Sequence, residues 1–311
     1  MSMHAARARL SGGRWHFQHG PIDIVIGAEG DAFAVEAAHE AAWVRFETVL
    51  SELVAELPAL RSRVMGACPL RGMAVDCPLR GPIAQRMWWA CRPHHARFFT
   101  PMAAVAGAVA QELIAAYARP GVQRAWVNNG GDIALHLAPG TRVRVGLFAD
   151  LARFDPTDAA VPTDGHFDVL AAGPVRGIAT SGWRGRSLSL GIADSVTVLA
   201  RTAAEADAAA TVIANAVNVD DARIRRRRAN EVRDDSDLGE IEVVVDVPPL
   251  PDAVVRHALQ QGERRARELQ RAGLVHAALL VCQQQALRVI GEGPLPHAPR
   301  LRSERVGSVF A

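Results

Sequence analysis

The sequence predicts an α+β protein, an antiparallel sheet backed by helices. Short strand-like segments bounded by turn residues open the chain and recur in its middle and near its end. Longer stretches with apolar residues at three- and four-residue steps lie between them. Adjacent strand segments are often joined by short turns, which favour antiparallel pairing over regular βαβ winding.

The elements follow in order. "HAARARL", "RWHFQ" and "IDIVIGA" read as strands separated by the turn-formers "SGG" and "HGP". From about Ala34 to Val64, the residues Trp43, Phe46, Val49, Leu50, Leu53, Val54 and Leu57 mark a helix that Pro58 ends or kinks. Residues 66–82 read as a loop containing an echo, "CPLRGM" then "CPLRGP", too short for a repeat architecture. "PMAAVAGAVAQELIAAYA" is a helix with proline near its first turn and Pro120-Gly121 as its stop. Strands are expected at 122–128, 133–137 and 142–148, followed by a long surface loop over 149–174. Strands near 176–181 and 194–200 precede a helix over 203–217. "RIRRRRANEVRDDSD" reads as an exposed, charge-segregated connection and "EIEVVVDV" as a strand. A polar amphipathic helix over 252–272 leads to a closing hairpin, "LVHAALLV" with "QALRVIG". No linker separates two cores, so residues 1–291 are expected to form one domain and 292–311 a loose tail.

Bulk properties narrow the function. The formal net charge of +2 over 311 residues gives no global field for nucleic acid or membrane. All 35 basic residues are arginine, so an anion met by a side chain meets a guanidinium fork. Four consecutive arginines, Arg225 to Arg228, are followed by "DDSD" without aromatic interleaving, which speaks for a solvated segment rather than a base-stacking surface. The longest apolar stretches fall short of the ~20 residues that a membrane-spanning helix needs. The first twenty residues hold arginines but no following apolar run, so neither a signal nor a transit peptide is expected, and the expected location is cytoplasmic. Cys68, Cys77, Cys91 and Cys282 form no disulfide framework. With His94 and His95 they offer only the couple Cys91-x-x-His94, a poor zinc pattern. Nor is "TSGWRG" the G-x-S-x-G elbow of a serine nucleophile.

Three segments carry candidate chemistry. In "VNNGGDIAL", Asn129, Gly130, Gly131 and Asp132 sit between two strands. The plain reading is a tight hairpin turn; the double glycine would also let a flat ligand meet backbone, with Asp132 accepting hydrogen bonds beside it. In "ATSGWRGRSLSLGIADSVTV", Ser181 and Gly182 follow a strand, Trp183 offers a stacking face, and Arg184 and Arg186 flank Gly185. That is equally an exposed basic loop and a cradle for a diphosphate. In "AEADAAATVIANAV", Asp207 and Thr211 lie four apart on a helix, so carboxylate and hydroxyl share a face. Such hard oxygen donors suit Mg²⁺ held together with a phosphate, although the pattern is common by chance.

Taken together, "PMAAVAGAVAQ", "VNNGGDI", "TSGW" and "SVTVLARTAAEADAAAT" resemble, in order and spacing, the ApbE-like superfamily, whose best-known members are Mg²⁺-dependent FAD:protein FMN transferases. The resemblance covers residues 100–218 well and the N-terminal strands and long helix more loosely. It implies a T-fold-like α+β domain, Asp207 and Thr211 as side-chain metal ligands, and a backbone carbonyl ligand from the helix start around Ala106 to Ala108. It further implies that Asn129, Gly130, Gly131 and Asp132 line a flavin-nucleotide site with Ser181 and Gly182 opposite. The transferases' His-x-x-Asp-Pro stretch has no counterpart, because "WRGRSLSLGIAD" contains neither histidine nor Asp-Pro. Arg184 and Arg186 are expected to clamp the diphosphate in its place. The expectation is therefore an FAD-binding, Mg²⁺-dependent enzyme carrying out FMN transfer to an unidentified acceptor or diphosphate cleavage. The alternatives are a nucleotide-binding protein that has lost the transfer step and a homo-oligomeric scaffold.

Overall fold

The computed structural model describes residues 4–65, 76–147 and 165–290. The first "CPLRGM" copy with Cys68, residues 148–164 of the strand and loop expected there, and the 292–311 tail lie outside these residues. The chain divides into two compact units.

The first unit comprises residues 1–143, 169–178 and 202–208. Its chain runs β1 (Ala6–Arg9), β2 (Trp15–His19), β3 (Ile22–Gly30), α1 (Ala32–Ala55), α2 (Leu57–Leu60), α3 (Pro82–Cys91), α4 (Val105–Ile114), β4 (Val122–Asn129) and β5 (Asp132–Leu137). Strands β6 (Arg142–Leu147) and β7 (Gly165–Leu170) pair as a separate ribbon, and β8 (Gly177–Ser181) begins in this unit. β1, β2, β3, β4, β5 and the start of β8 hydrogen-bond in that order, each neighbouring pair antiparallel. Helices α1 and α4 pack on this sheet, burying Phe17, Ile24, Ile26, Phe46 and Val127.

Local chemistry explains the boundaries. Asp31 caps α1, its carboxylate accepting from the Ala34 amide at 2.9 Å. Helix α1 stops at Ala55, three residues before Pro58, and the chain restarts as α2 with that proline in its first turn. Glu56, at the break, turns its carboxylate to the amides of Arg80 and Gly81, both at 2.7 Å. Helix α3 has no counterpart in the sequence-based expectation, although Pro82 at its first turn is a start signal. The expected helix over 101–118 is shorter: 3₁₀ turns at Pro101–Ala104 and Ala115–Tyr117 flank α4. The expected loop over 149–174 is corrected at 165–170, where buried Phe167 and Val169 alternate with more exposed neighbours in β7.

Under α1, the His39 imidazole meets the Tyr117 hydroxyl at 2.7 Å, and both side chains are buried. Burial holds the His39 pKa below its ordinary value, against the pull of Glu36 and Glu40. A histidine kept neutral in the fold opposes acid. Stability should be intact above the unfolded-state pKa of ~6.5 and should fall as pH drops below it, because the unfolded chain then binds the extra proton. His39→Gln should flatten that limb in urea unfolding followed from pH 7 to 5; an unchanged slope would separate His39 from acid sensitivity.

The second unit comprises residues 144–168, 179–201 and 209–311. The end of β8 neighbours β9 (Ser195–Ala200), with Thr180 and Thr197 hydroxyls 3.0 Å apart. Residues 209–216 of helix α5 (Ala203–Ala216) belong to this unit. Next come β10 (Arg225–Arg228), α6 (Ala229–Val232), β11 (Glu242–Asp246), α7 (Asp252–Arg271), β12 (Ala277–Cys282) and β13 (Gln285–Ile290). β12 pairs antiparallel with both β9 and β13. α7 packs on β12 and β13 through Val255, Ala258, Leu259, Gly262, Ala266 and Leu269, one stripe at helical spacing. Its opposite face is laced with Arg–Glu pairs such as Arg267–Glu263 at 2.6 Å.

The arginine run is not an irregular connection: it forms β10, antiparallel to β11. Its charges face carboxylates, with Arg225 4.0 Å from Asp246, Arg227 3.5 Å from Glu231 and Arg228 3.7 Å from Glu240. Strand propensity could not reveal this, since four successive arginines carry no apolar alternation of their own. No described helix is long and apolar enough to cross a membrane.

Candidate functional site

Helix α4 begins with a run of small residues, and its cap residue Ala104 has no side chain to bond the first amides. A carboxylate distant in sequence takes that place. Asp207, in the second turn of α5, accepts from the Gly107 amide at 2.9 Å and also from the Ala106 amide. The contact demands glycine: a Cβ on residue 107 would lie 2.3 Å from the Ala203 carbonyl oxygen and 2.9 Å from the Asp207 Cβ. The two helices are tied once more where Gln111 accepts from the Ala204 amide at 3.3 Å.

Asp207 retains some accessible surface but is densely surrounded. Burial pushes its pKa up to about 7, against the opposite pull of the two amides. The local geometry thus holds a carboxylate that is poorly stabilised as an anion. Thr211 lies one turn further along α5, so the four-residue spacing places both on one helical face.

The double-glycine segment contributes to the same unit. Asn129 and Asp132 are register partners at the end of the β4–β5 hairpin, and Gly130 and Gly131 form its two-residue loop with φ of +67° and +107°. The turn is therefore Gly-Gly, with Asn129 the last strand residue. Asn128 holds the loop by accepting from the Gly131 amide at 2.8 Å. Asn129 donates to the Ala106 carbonyl at 3.1 Å, which turns it toward the start of α4, and the buried Asp132 is its cross-strand neighbour. These bonds gather Asn129, Ala106, Gly107 and Asp207 around one helix terminus. Among the described residues no group of three or more His, Cys, Asp or Glu side chains is placed to hold a metal ion, the Cys91–His94 neighbourhood included.

Ser181, Gly182, Arg184, Arg186 and Thr211 belong to the second unit. Ser181 ends β8 half-buried, and Gly182 is buried. Arg184 lies over the Trp183 ring, 4.9 Å from its centroid, while the exposed Arg186 lends its carbonyl to Arg233 at 3.0 Å. Ser189 is buried and bonded to Asn215 and the Gly191 carbonyl, so it serves the loop rather than the surface. Cys282 is likewise inert: burial, with the nearby Asp194 charge, pushes its thiol up to about 12. Sequence reasoning missed Gln111 and Asp194, and it included Gly107 only within the helix start around Ala106 to Ala108, as a carbonyl donor rather than as the amide that meets Asp207. Asp194 had a signal, as the acid directly before the "SVTV" strand; Gly107 was hidden among equally small neighbours.

The family described as AbpE bacteria matches residues 7–291. The chain therefore belongs to that family, within the ApbE-like superfamily. It is 38% identical over 139 residues to a UPF0280 protein of Methanothermobacter thermautotrophicus, covering 44% of this chain and 50% of the relative. A UPF0280 protein of Methanopyrus kandleri is 40% identical over 147 residues, covering 47% and 55%. The chain thus spans about half the length of these relatives. A third, from Methanosphaerula palustris, is 34% identical over 206 residues, covering 66% of this chain and 77% of the relative. Among solved structures, the apo form of the Pseudomonas stutzeri flavinyl transferase ApbE aligns over 93% of this chain and 94% of its own, with 14% identity and a TM-score of 0.37.

Proposed function

We propose that the protein binds a flavin nucleotide, FAD, together with Mg²⁺, and uses the pair for FMN transfer or diphosphate cleavage. The observation that supports this most directly is Asp207, a crowded carboxylate whose pKa burial pushes up to about 7, at the start of α4 in a chain of the ApbE-like superfamily. A divalent cation offsets the burial cost that the fold imposes on that anion.

The donor set fits a magnesium ion only as a partial shell. Asp207 would supply a carboxylate oxygen and Thr211 a hydroxyl, with phosphate oxygens and water completing the six positions that Mg²⁺ prefers. The Ala106 carbonyl already accepts from Asn129, and its second lone pair would remain for the ion. When bound, the metal would offset charge developing on the phosphate oxygens. The chain's own residues do the remainder. Asn129 fixes the peptide that presents the Ala106 carbonyl, the Gly130-Gly131 loop leaves main chain bare for a planar ring, and Arg184 and Arg186 would meet the diphosphate.

Flavin fluorescence titrations with and without Mg²⁺, with chromatography for FMN and AMP, test the reading. Mg²⁺ should tighten FAD binding to the wild type by tenfold or more, and Asp207→Ala should erase that gain. Equal binding and turnover in both proteins would remove Asp207 from the site. A second reading is favoured by the absence of histidine and Asp-Pro between Gly182 and Ser195. In it the protein retains the nucleotide but not the transfer step, and the purified chain would carry bound flavin without releasing products.

A further inference from the structure

Met65, Trp89 and Phe98 are 65%, 50% and 38% exposed, large apolar side chains whose burial would be favourable. All three belong to the first unit. The Val64 amide donates to the Phe99 carbonyl at 2.8 Å and the Arg63 guanidinium to the His95 carbonyl at 3.3 Å, so residues 63–65 run beside the loop 95–99. Met65 and Phe98 each lie one position from the bonded Val64–Phe99 pair. That loop follows the C-terminal end of α3, whose last turn carries Trp89. Trp89 is not loose. Its ring meets that of the buried Trp88 edge-on, with centroids 4.7 Å apart, and the Arg92 guanidinium lies 5.2 Å from one centroid and 5.4 Å from the other. Beside Phe98, the buried Phe99 and His94 rings pack with centroids 5.5 Å apart. Each exposed ring is thus set outward by a buried ring next to it in the chain.

The charge around these side chains has one sign. Residues 57–65 and 77–111 hold six arginines and no aspartate or glutamate. At β1, by contrast, guanidiniums face carboxylates, Arg7 meeting Glu40 and Arg9 meeting Glu36. Here Arg92 faces indoles, and Arg63 and the exposed Arg97 flank the apolar groups. A surface of exposed rings and arginines without acids is complementary to a partner that is anionic outside and apolar within. A lipid headgroup layer meets both demands. Tryptophan and phenylalanine rings settle at headgroup level, arginine stems lie along the acyl boundary, and guanidiniums meet phosphate. An acidic protein would need recesses shaped for three dispersed side chains, whereas a fluid layer needs no shape match.

We propose that the C-terminal end of α3, with residues 63–65 beside it, attaches the protein peripherally to an anionic bilayer surface. Met65, Trp89 and Phe98 enter the headgroup layer, and Arg63, Arg92 and Arg97 meet its phosphates. A net charge of +2 gives the whole chain no global attraction to a membrane, so the attachment is local and reversible. It is independent of the nucleotide reading.

The test is sedimentation of the full chain with vesicles of phosphatidylglycerol or of phosphatidylcholine, with the urea midpoint as a check on folding. The wild type should partition onto the anionic vesicles about tenfold more strongly than onto the zwitterionic ones, and raising salt from ~0.1 M to ~0.5 M should remove most of that preference. Trp89→Ser and Phe98→Ser, both at exposed positions, should each lower partitioning onto anionic vesicles about tenfold with the midpoint unchanged. Should Trp89→Ser fold poorly, Phe98→Ser carries the test alone. Absent or equal partitioning onto the two kinds of vesicle, or wild-type partitioning by a folded serine variant, would overturn the proposal. Two other results would reassign the surface and overturn it as well. Binding to polyglutamate that Phe98→Ser abolishes would give it to an acidic protein, and a wild-type dimer that Trp89→Ser dissociates would give it to a second copy of the chain.

Discussion

Gly107→Ala should destabilise the first unit by about 3 kcal/mol, the upper part of the usual range for overpacking. The added methyl would meet the Ala203 carbonyl oxygen at 2.3 Å and its carbon at 2.6 Å, both backbone atoms in the first turn of α5. A flexible side chain could swing aside; a helix backbone cannot. The helices would have to separate by an ångström or so, lengthening the 2.9 Å bond from the Gly107 amide to Asp207. Two effects should therefore appear together in urea unfolding and Mg²⁺ titration: a lower midpoint and a weaker response to the ion. Replacement of Ala108, a buried neighbour in the same helix, by glycine provides the control, with a loss of only ~1 kcal/mol from helix propensity. A Gly107→Ala protein within 1 kcal/mol of wild type would mean that the helices do not cross this closely.

The second large effect concerns Asp207 and has an unusual sign. Burial raises its folded pKa to about 7, above the ordinary carboxylate value of 3.8. Below pH ~4 it is protonated in both states and costs nothing. Between ~4 and ~7 the unfolded chain releases this proton and the folded chain keeps it, so stability falls as pH rises through that window. Above ~7 the cost is complete. Asp207→Asn, which cannot ionise, should therefore be more stable than wild type at pH 8 by a few kcal/mol, with the difference vanishing near pH 4. Added Mg²⁺ should narrow the gap at pH 8 by stabilising the wild-type anion. A variant that is less stable than wild type at pH 8 without metal would show that the carboxylate acts chiefly as a cap for α4.

The parts of the fold legible in the sequence were those with a local cause. β2, β3, β4, β5 and the β12–β13 hairpin announce themselves through alternation and turn residues, and α7 through its stripe. β10 did not, because its partner β11 begins fourteen positions beyond its last residue and four arginines carry no apolar period. Helix α4 was legible as a helix, but not its 3₁₀ ends, which follow from Ala104 at φ −129° and the buried Tyr117. For the candidate site, the motifs pointed to Asn129, Asp132 and Asp207, and their association with the start of α4 is a long-range fact. The Gly107–Asp207 bond joins residues a hundred positions apart. Asp194 stayed hidden for the same reason, since its partner Gln283 is 89 residues away.

The turn that carries Gln283 trades local ease for anchorage. Gln283 and Gln284 both adopt left-handed dihedrals, φ 43° and 68°, where asparagine and glycine are at ease and a long side chain is not. An Asn-Gly pair would relax that bend. It would also delete the amide arm reaching Pro248 and Leu250, leaving the hairpin tip comfortable but unmoored.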